Sequence, residues 1–315
     1  MQDISRSFVT HDHLQIVFQS IGCRFQLEGR GCYMCSYGHA ERNLTPEEVR
    51  EYFDKSVDSY VGERHVLVLD VFGSILDEAE FPLANREVLI EKVAATDFHV
   101  VIFETHYTLV SIDLAEQIRA RLPGKFVKFE FGVESWSERV RESIGKTTIV
   151  NAEIITLMRK LNERGFGICI NVLVGMPNMS VREQVCDAVS SIERSFDYGA
   201  NTVVLFPINL KKGTKLLEWY ELGTYQQVSQ WLLLDVLLSS PKYYLDRVYL
   251  SYTGDKGSDI KPISCNECGS KFQDLWGDFR VLRTADERYE LLCGFRANTR
   301  CDCLDIYEKT KVANI

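Results

Sequence analysis

The sequence lacks the features that would place this protein in a membrane or on the backbone of a nucleic acid. No apolar run approaches the ~18 to 20 residues that a membrane-spanning helix needs. The amino terminus has neither the basic start nor the apolar core of a signal peptide. Basic residues are not in excess, because 36 Lys+Arg stand against 45 Asp+Glu, for a formal net charge of −9. We therefore predict a soluble, cytoplasmic protein without a membrane partner.

Low-complexity segments are also absent, and no long linker interrupts the chain before residue 252. The 315 residues, 45% of them hydrophobic, suffice for one large α/β domain with a small appendage or for two ordinary domains. The apolar pattern breaks at SYTGDKGSDIKP, residues 251–262. We place a domain boundary there, which predicts a core domain over residues 1–250 and a small domain over residues 251–315.

Cysteine, in contrast, is abundant and unevenly distributed. Eight of the ten cysteines cluster near the ends of the chain: Cys23, Cys32 and Cys35 at one end, and Cys265, Cys268, Cys293, Cys301 and Cys303 at the other. In a reducing compartment, clustered cysteines are more often metal ligands than disulfides. We interpret both clusters as metal sites. Cys169 and Cys186, which lie between them, are interpreted as packing residues of a strand and a helix.

Between the clusters, the apolar pattern alternates between strand-like runs and helix-like stripes, as in βα units around a parallel sheet. Six strands are predicted: residues 14–19, 65–72, 98–104, 126–133, 167–175 and 202–208. Thr45 and Pro46 predict a capped helix start, and Gly165 predicts the end of a later helix. A further apolar stripe predicts the buried face of another helix: Val181, Val185, Val189 and Ile192.

The amino-terminal cysteines have the spacing C-x8-C-x2-C and follow the first predicted strand. Three thiolates in one loop could hold three irons of a [4Fe-4S] cluster and leave the fourth iron without a protein ligand. They could also form a zinc site if His39 supplied a fourth ligand. The spacing alone leaves both alternatives open.

Six short motifs follow in order at the carboxyl ends of the predicted strands, where parallel barrels carry their chemistry. They are GCYMC, DVFGSILDEAEFP, FETH, FEFGVES, INVLVGMP and PINLKKGT. In these motifs the chain resembles the radical S-adenosylmethionine (radical SAM) superfamily, over nearly its whole length. More narrowly, it resembles the branch of the archaeosine-forming lyase subunit and the catalytic subunit of elongator, whose cysteine loop is longer than C-x3-C-x2-C.

The resemblance implies both a fold and a reaction. The implied fold is α/β, a partial (β/α)6 TIM-like barrel with a small C-terminal cysteine-rich domain. Cys23, Cys32 and Cys35 would hold a [4Fe-4S] cluster whose open iron binds S-adenosylmethionine. One electron, supplied by an external donor such as flavodoxin or ferredoxin, would cleave S-adenosylmethionine to methionine and a 5′-deoxyadenosyl radical. That radical would abstract a hydrogen from the substrate.

The resemblance also implies which residues contact S-adenosylmethionine: Gly73 and Ser74 at its amino group, Glu104 and Glu134 at its ribose or amino end, and Gly175 to Pro177 at its adenine. Glycine is expected at positions 73 and 175 because a Cβ would prevent close approach of the backbone to the ligand. The position before the last cysteine of the loop, usually aromatic in the superfamily, is Met34, and Tyr33 precedes it.

The carboxyl-terminal cysteines form a second candidate metal site. SCNEC supplies Cys265 and Cys268, and RCDC supplies Cys301 and Cys303, with Cys293 left over. Four thiolates could hold a structural zinc or an auxiliary [4Fe-4S] cluster. We favour the second [4Fe-4S] cluster, because a C-x-C pair is uncommon in structural zinc sites.

The charge of the carboxyl-terminal segment bears on the substrate. Residues 261–315 contain nine Lys+Arg and nine Asp+Glu, whereas a tRNA-binding domain should be visibly positive. We therefore predict a small-molecule substrate, hydrogen abstraction as the first step, and a biosynthetic role. Two rivals remain. One is a tRNA-base-modifying enzyme with a basic patch that forms only in three dimensions, and the other is a non-catalytic zinc-binding protein.

Overall fold

The structure is a computed structural model that describes residues 6–9, 13–37, 42–251 and 260–313. Its strands are β1 (Arg6–Val9), β2 (His13–Phe18), β3 (Val66–Val71), β4 (Val100–Glu104), β5 (Phe126–Glu134), β6 (Gly167–Val174), β7 (Thr202–Pro207) and β8 (Val248–Leu250). Its α-helices are α1 (Arg24–Leu27), α2 (Pro46–Asp58), α3 (Leu83–Ala94), α4 (Ile112–Arg121), α5 (Glu138–Ser143), α6 (Asn151–Glu163), α7 (Val181–Asp197), α8 (Lys215–Glu221), α9 (Gln230–Ser239), α10 (Asn266–Val281), α11 (Ala285–Asn298) and α12 (Asp302–Ala313). Two short 3-10 helices cover Tyr107–Leu109 and Lys242–Arg247.

The strands form one sheet whose order follows the chain from β1 to β8. β2 to β5 pair in parallel, as do β7 and β8, whereas β1 is antiparallel to β2. All six predicted strands are present, and the predicted fold class, an α/β partial barrel with a cysteine-rich carboxyl-terminal part, is confirmed. The sequence reasoning missed β1 and β8, because runs of four and three residues are too short to show a period.

The central strands β3 and β6 are apolar because both of their faces are covered. Every residue of β3 and of β6 is buried. Such strands show a continuous apolar run rather than an alternating pattern. The loops that follow β3 and β6 therefore start from wholly buried strands.

The predicted helix boundaries agree with the structure, but one predicted helix face does not. Thr45 caps α2 in a capping box, and Gly165 follows α6 with a φ of +78°. On α7, however, the buried residues are Ala188, Ser191, Ile192 and Ser195, so the predicted valine stripe is only partly buried. Cys169 is buried as predicted, whereas the packing role predicted for Cys186 is wrong, because this residue is exposed. Serines hydrogen-bonded within the fold replace valines on the buried face of α7.

Two compact units can be distinguished by their internal contacts. One comprises Met1–Gly31, Tyr37–Gly132 and Val150–Cys169, and the other comprises Cys32–Ser36, Val133–Ile149 and Ile170–Ile315. The first unit contains Cys23 and the loop after β3. The second contains Cys32, Cys35 and all the carboxyl-terminal cysteines. The domain boundary near residue 250 stays a prediction, and residues 252–259 of the segment that suggested it lie outside the described residues.

The loop after β3 is held by the carboxylate of Glu80. Glu80 is 1% exposed, and its carboxylate accepts hydrogen bonds from the backbone N–H of Arg24 at 2.7 Å and of Ser74 at 2.5 Å. Burial raises the pKa of Glu80 to about 7, while the two N–H donors act in the opposite direction. Glu80 thereby joins the first turn of α1 to the loop after β3.

Gly73 lies directly against this carboxylate. Its φ is +151°, and a Cβ at this position would overlap Oε2 of Glu80 and lie 3.3 Å from Cα of Cys23. Sequence reasoning expected glycine here because of a nearby ligand. In the structure, the glutamate and the cysteine backbone already exclude any larger residue.

We expect Gly73→Ala to destabilise the fold much more than a glycine substitution at another left-handed position. Gly124 is the matched control, because its φ is +76° and an added Cβ would meet no atom within 4 Å. Gly124→Ala should lower the free energy of unfolding by about 1 kcal/mol from backbone strain alone. Gly73→Ala should lower it by about 3 kcal/mol, because overpacking against Glu80 adds to the strain. Urea denaturation measures both values, and equal losses would contradict the close approach of Glu80.

Candidate active site and metal centre

Cys23 lies at the start of α1, in the first compact unit. It is the N-cap residue of this helix, with an extended backbone, and its carbonyl accepts a hydrogen bond from the N–H of Leu27 at 3.0 Å. The next residue, Arg24, donates its backbone N–H to Glu80, and its guanidinium lies 3.3 Å from the carboxylate of Asp77. The position of the half-buried Cys23 is therefore set by α1 and by Glu80.

Cys32 and Cys35 lie in one turn of the second compact unit. The N–H of Cys35 donates to the carbonyl of Cys32 at 3.1 Å. Between them, the N–H of Tyr33 donates to the carbonyl of Ile144 at 2.8 Å, and the carbonyl of Tyr33 accepts from the N–H of Leu216 at 3.0 Å. Two backbone hydrogen bonds thus hold this turn on both sides.

Tyr33 and Met34 have different surroundings. The ring of Tyr33 meets Trp219 edge-on, with 5.4 Å between the ring centroids, and Nζ of Lys215 lies 4.1 Å from the Tyr33 centroid. Met34 packs against the apolar cluster that includes Val140. The aromatic side chain of this turn therefore belongs to position 33.

The donor set of the amino-terminal cysteines fits an iron–sulfur cluster. Cysteine thiolates are the usual ligands of such clusters, and three of them leave one iron open. All three cysteines are half-buried, so their sulfurs are neither inert core groups nor fully exposed. His39, the alternative fourth ligand of a zinc site, lies outside the described residues. The assignment of Cys23, Cys32 and Cys35 as ligands stays a prediction.

The loop after β3 is bonded to the loop after β4. The hydroxyl of Ser74 accepts from the N–H of His106 at 3.2 Å, and the N–H of Ile75 donates to the carbonyl of Glu104 at 3.2 Å. Ser74 and Glu104, both predicted to contact S-adenosylmethionine, are therefore brought together in the first unit. Their role toward the cofactor stays a prediction.

Carboxylates of three neighbouring strands, β3, β4 and β5, cluster at one level of the sheet. Glu104 pairs in register with Glu130, and the side chains of Asp70 and Glu104 are hydrogen-bonded. Burial, together with the charge of Glu130, raises the pKa of Asp70, while the bond with Glu104 acts against this shift. Glu104 therefore belongs to a group of interacting acids rather than standing alone.

Glu134 ends β5 in the second unit with an unusual backbone conformation. Its φ is +67°, a left-handed value that non-glycine residues seldom adopt. Its Oε1 lies 2.6 Å from Nζ of Lys146, and the two side chains are 12% and 13% exposed. The carboxylate predicted to bind S-adenosylmethionine thus has a buried cationic partner, which sequence reasoning missed.

Gly175 and Pro177 follow β6 at the edge of a cavity in the second unit. Gly175 has a φ of +107°, its carbonyl accepts from the hydroxyl of Tyr225 at 2.8 Å, and a Cβ would overlap Val228. The cavity has a volume of about 790 Å³ and is lined by residues 176–181 and 224–229, with contributions from the carboxyl-terminal segment. Protein neighbours already require glycine at position 175, whether or not adenine binds there.

The four carboxyl-terminal cysteines predicted as ligands come together. Cys265 caps α10, Cys268 lies in its first turn, Cys301 precedes α12 and Cys303 lies within it. Their sulfurs all lie within 4.8 Å of one another. Cys293, the fifth cysteine, is not part of this group.

The spacing of these four sulfurs fits a single metal ion. Four thiolates on one tetrahedral zinc lie about 3.8 Å apart when each Zn–S bond is about 2.3 Å. In a [4Fe-4S] cluster each thiolate binds a different iron, so the sulfurs are separated by the width of the cluster. Burial and neighbouring thiols raise the pKa of Cys268, and a bound cation would relieve this cost of ionisation.

Two residues that sequence reasoning missed support these sites directly. Glu80 lies within the DVFGSILDEAEFP motif, but nothing in the motif shows that its carboxylate turns back toward α1. Trp231 donates its indole N–H to Sγ of Cys303 at 3.2 Å from the buried helix α9. Neither contact has a sequence signal, because the partners are 56 and 72 residues apart.

Within the described ranges, no helix is both long enough and apolar enough to cross a lipid bilayer.

Several known proteins are similar to this chain in sequence or in fold. The chain is 23% identical over 314 residues to the uncharacterized protein MJ0550 of Methanocaldococcus jannaschii, covering 97% of this chain and 83% of that protein. It is 22% identical over 300 residues to the archaeosine synthase subunit beta of Methanosarcina acetivorans, covering 94% and 84%. Elp3 of Methanocaldococcus infernus has a similar fold, with a TM-score of 0.54 and 13% identity, and the match covers 88% of this chain but only 65% of that one.

The family comparison is the most direct. The Radical SAM superfamily matches residues 21–189, a segment that contains the three amino-terminal cysteines and the strands from β3 to β6. This match spans more than half of the chain, which therefore belongs to the radical SAM superfamily of enzymes.

Proposed function

We propose that this radical SAM enzyme holds a [4Fe-4S] cluster with Cys23, Cys32 and Cys35 and abstracts hydrogen from a small biosynthetic substrate. The observation that carries the first part is the family match over a segment that begins just before Cys23. When bound, the cluster supplies the electron that cleaves S-adenosylmethionine to a 5′-deoxyadenosyl radical. An external one-electron donor such as flavodoxin or ferredoxin would reduce it.

The residues of this chain would bind and orient the reactants. Glu80 would keep Cys23 and the Gly73–Ser74 segment at a constant separation, because it binds the backbone on both sides. Glu134 would receive the amino or ribose end of S-adenosylmethionine on the lone pairs that Lys146 does not use. These roles rest on the resemblance of the motifs together with the contacts of the described residues.

The size and the lining of the cavity after β6 are suited to a small ligand that is uncharged or cationic. Its volume of about 790 Å³ lies within the range of roughly 300 to 1,000 Å³ typical of ligand pockets. Amide side chains at Asn178, Gln184 and Gln226 line it, and Oε1 of Gln184 is a buried acceptor without a hydrogen-bond partner in the described structure. Two lining residues, Cys265 and Cys303, belong to the four-cysteine group. Among the other described lining residues only Asp302 is formally charged, so no basic side chain would bind a phosphate group there.

We also propose that the carboxyl-terminal cysteines bind one zinc ion rather than the second [4Fe-4S] cluster that the sequence favoured. The supporting observation is the convergence of four sulfurs within 4.8 Å. A site with four protein ligands is closed, which is typical of structural zinc. Its function would then be to hold α10 against α12.

A second candidate function is modification of a tRNA base. The similarity to the archaeosine synthase subunit beta favours it. The net charge of −9 and the cavity without basic side chains speak against it. We therefore rank it below a small-molecule substrate, and we retain the cytoplasmic location as a prediction.

Cys32→Ala should abolish formation of 5′-deoxyadenosine from S-adenosylmethionine under a strong reductant, because two thiolates cannot hold the cluster in its open form. Anaerobic assay by mass spectrometry measures this product. Cys186→Ala is the matched control, because Cys186 is exposed and lies outside both clusters, and it should keep full cleavage. Retained cleavage in Cys32→Ala would refute the ligand assignment.

Cys268→Ser should remove about one zinc per chain and leave about four irons bound. Elemental analysis of anaerobically purified protein measures both metals. Cys293→Ser, which changes a cysteine outside the four-sulfur group, should keep the zinc. Loss of iron instead of zinc in Cys268→Ser would show that the site holds a second iron–sulfur cluster.

Retention of tRNA should be weak and nearly independent of salt. Because each neutralised phosphate adds roughly 0.7 to 0.9 to the slope of log K against log[salt], we expect a slope shallower than about −2. Filter binding between about 50 and 200 mM salt measures it. A slope of about −5 or steeper would indicate several phosphate contacts and would favour the tRNA candidate.

A further inference from the structure

Lys146 carries a buried positive charge in the same unit as Cys32 and Cys35. Its side chain is 13% exposed, and its Nζ lies 2.6 Å from the carboxylate of Glu134. An ammonium group in this setting has lost most of its hydration and must be stabilised by negative partners.

Backbone contacts place the segment of Lys146 against the cysteine turn. The carbonyl of Ile144 accepts the N–H of Tyr33, the residue next to Cys32. Gly145, with a φ of +70°, faces the Tyr33 ring so closely that a Cβ would lie 2.6 Å from it. Lys146 is the next residue, so a cation beside the cysteine turn follows from the path of the chain.

The electrostatic surroundings of Lys146 include the cysteine sulfurs. Burial acts to lower the pKa of Lys146, but the charge of Glu134 and its hydrogen bond outweigh burial and raise the pKa, and the negative charges of ionised Cys32 and Cys35 act in the same direction. The lysine therefore remains charged at neutral pH.

Stability alone does not account for this arrangement. A buried ion pair is seldom more stabilising than well-packed apolar residues, because desolvation offsets the attraction. Glu134 also has a strained, left-handed backbone, and such residues cluster at functional sites. A costly pair beside the cysteine turn points to a role in its chemistry.

We propose that Lys146 is a positioning residue that orients Glu134 and raises the reduction potential of the cluster held at Cys32 and Cys35. The inference rests on the proposed function, since it takes a [4Fe-4S] cluster as the group that the thiolates bind. A cluster that gains an electron becomes more negative, and a fixed cation in a poorly hydrated site stabilises that reduced form.

The test is a potentiometric titration of the reconstituted protein, monitored by EPR, without S-adenosylmethionine. At a fixed potential, Lys146→Met should lower the ratio of reduced to oxidised cluster about tenfold, which corresponds to a midpoint about 59 mV lower. Lys146→Arg keeps the charge and should stay near the wild-type midpoint. Lys215→Met is the control, because Lys215 contacts the Tyr33 ring but is exposed, so solvent screens its charge.

Glu134→Gln provides a second variant with the opposite expected sign. It removes the negative partner while Lys146 remains, so the midpoint should rise. A purely structural ion pair would leave the midpoint unchanged in both variants, and this result with normal iron content would overturn the inference. Wild-type protein that binds no [4Fe-4S] cluster would instead refute the proposed function, and the inference with it.

Discussion

An ionisable side chain that is buried near the end of a parallel strand must be stabilised by hydrogen bonds or by an opposite charge. In this structure, such contacts hold the loops that follow the strands. Glu80 is met by two backbone N–H groups, and Glu134 by Lys146. The guanidinium of Arg141, which is 1% exposed, is met by the carbonyls of Ser135 at 2.6 Å and of Ile149 at 3.1 Å. Each contact fixes a loop, so the residues of the candidate site are held by hydrogen bonds and an ion pair that stabilise buried ionisable groups.

The same requirement holds in the carboxyl-terminal helices. Asp235 of the buried helix α9 accepts hydrogen bonds from Tyr307 at 2.8 Å and from Lys311 at 2.6 Å, both on α12. The guanidinium of Arg288, on α11, donates to the carbonyl of Val248 at 2.9 Å. Helices α11 and α12 are therefore anchored by protein contacts as well as by any ion at the four cysteines. A metal there would add to an existing framework.

The two cysteine groups differ in what they leave open. In the proposed assignment, three thiolates would leave an iron available for S-adenosylmethionine, whereas four converging thiolates would complete the coordination of an ion. Reactivity is thus expected at the amino-terminal group and stability at the carboxyl-terminal one. Membership of the superfamily accounts for how the radical is made, whereas the choice of substrate depends on site residues that differ among proteins of one fold.

The amino-acid sequence by itself determined the family, the six central strands, the capped start of α2 and the pairing of Cys265 and Cys268 with Cys301 and Cys303. These follow from local periodicity, from cysteine spacing and from the order of the motifs, all of which can be read from the order of the residues alone. Only the tertiary structure decided that Glu80 crosses to Arg24, that Lys146 faces Glu134, and that four sulfurs converge closely enough for one ion. The tertiary structure also showed that Cys186 is exposed to solvent, whereas the helix pattern had predicted a buried residue. The physical reason is that contacts between distant residues, and the burial that shifts their charges, depend on how the elements pack, and no spacing along the chain encodes that packing.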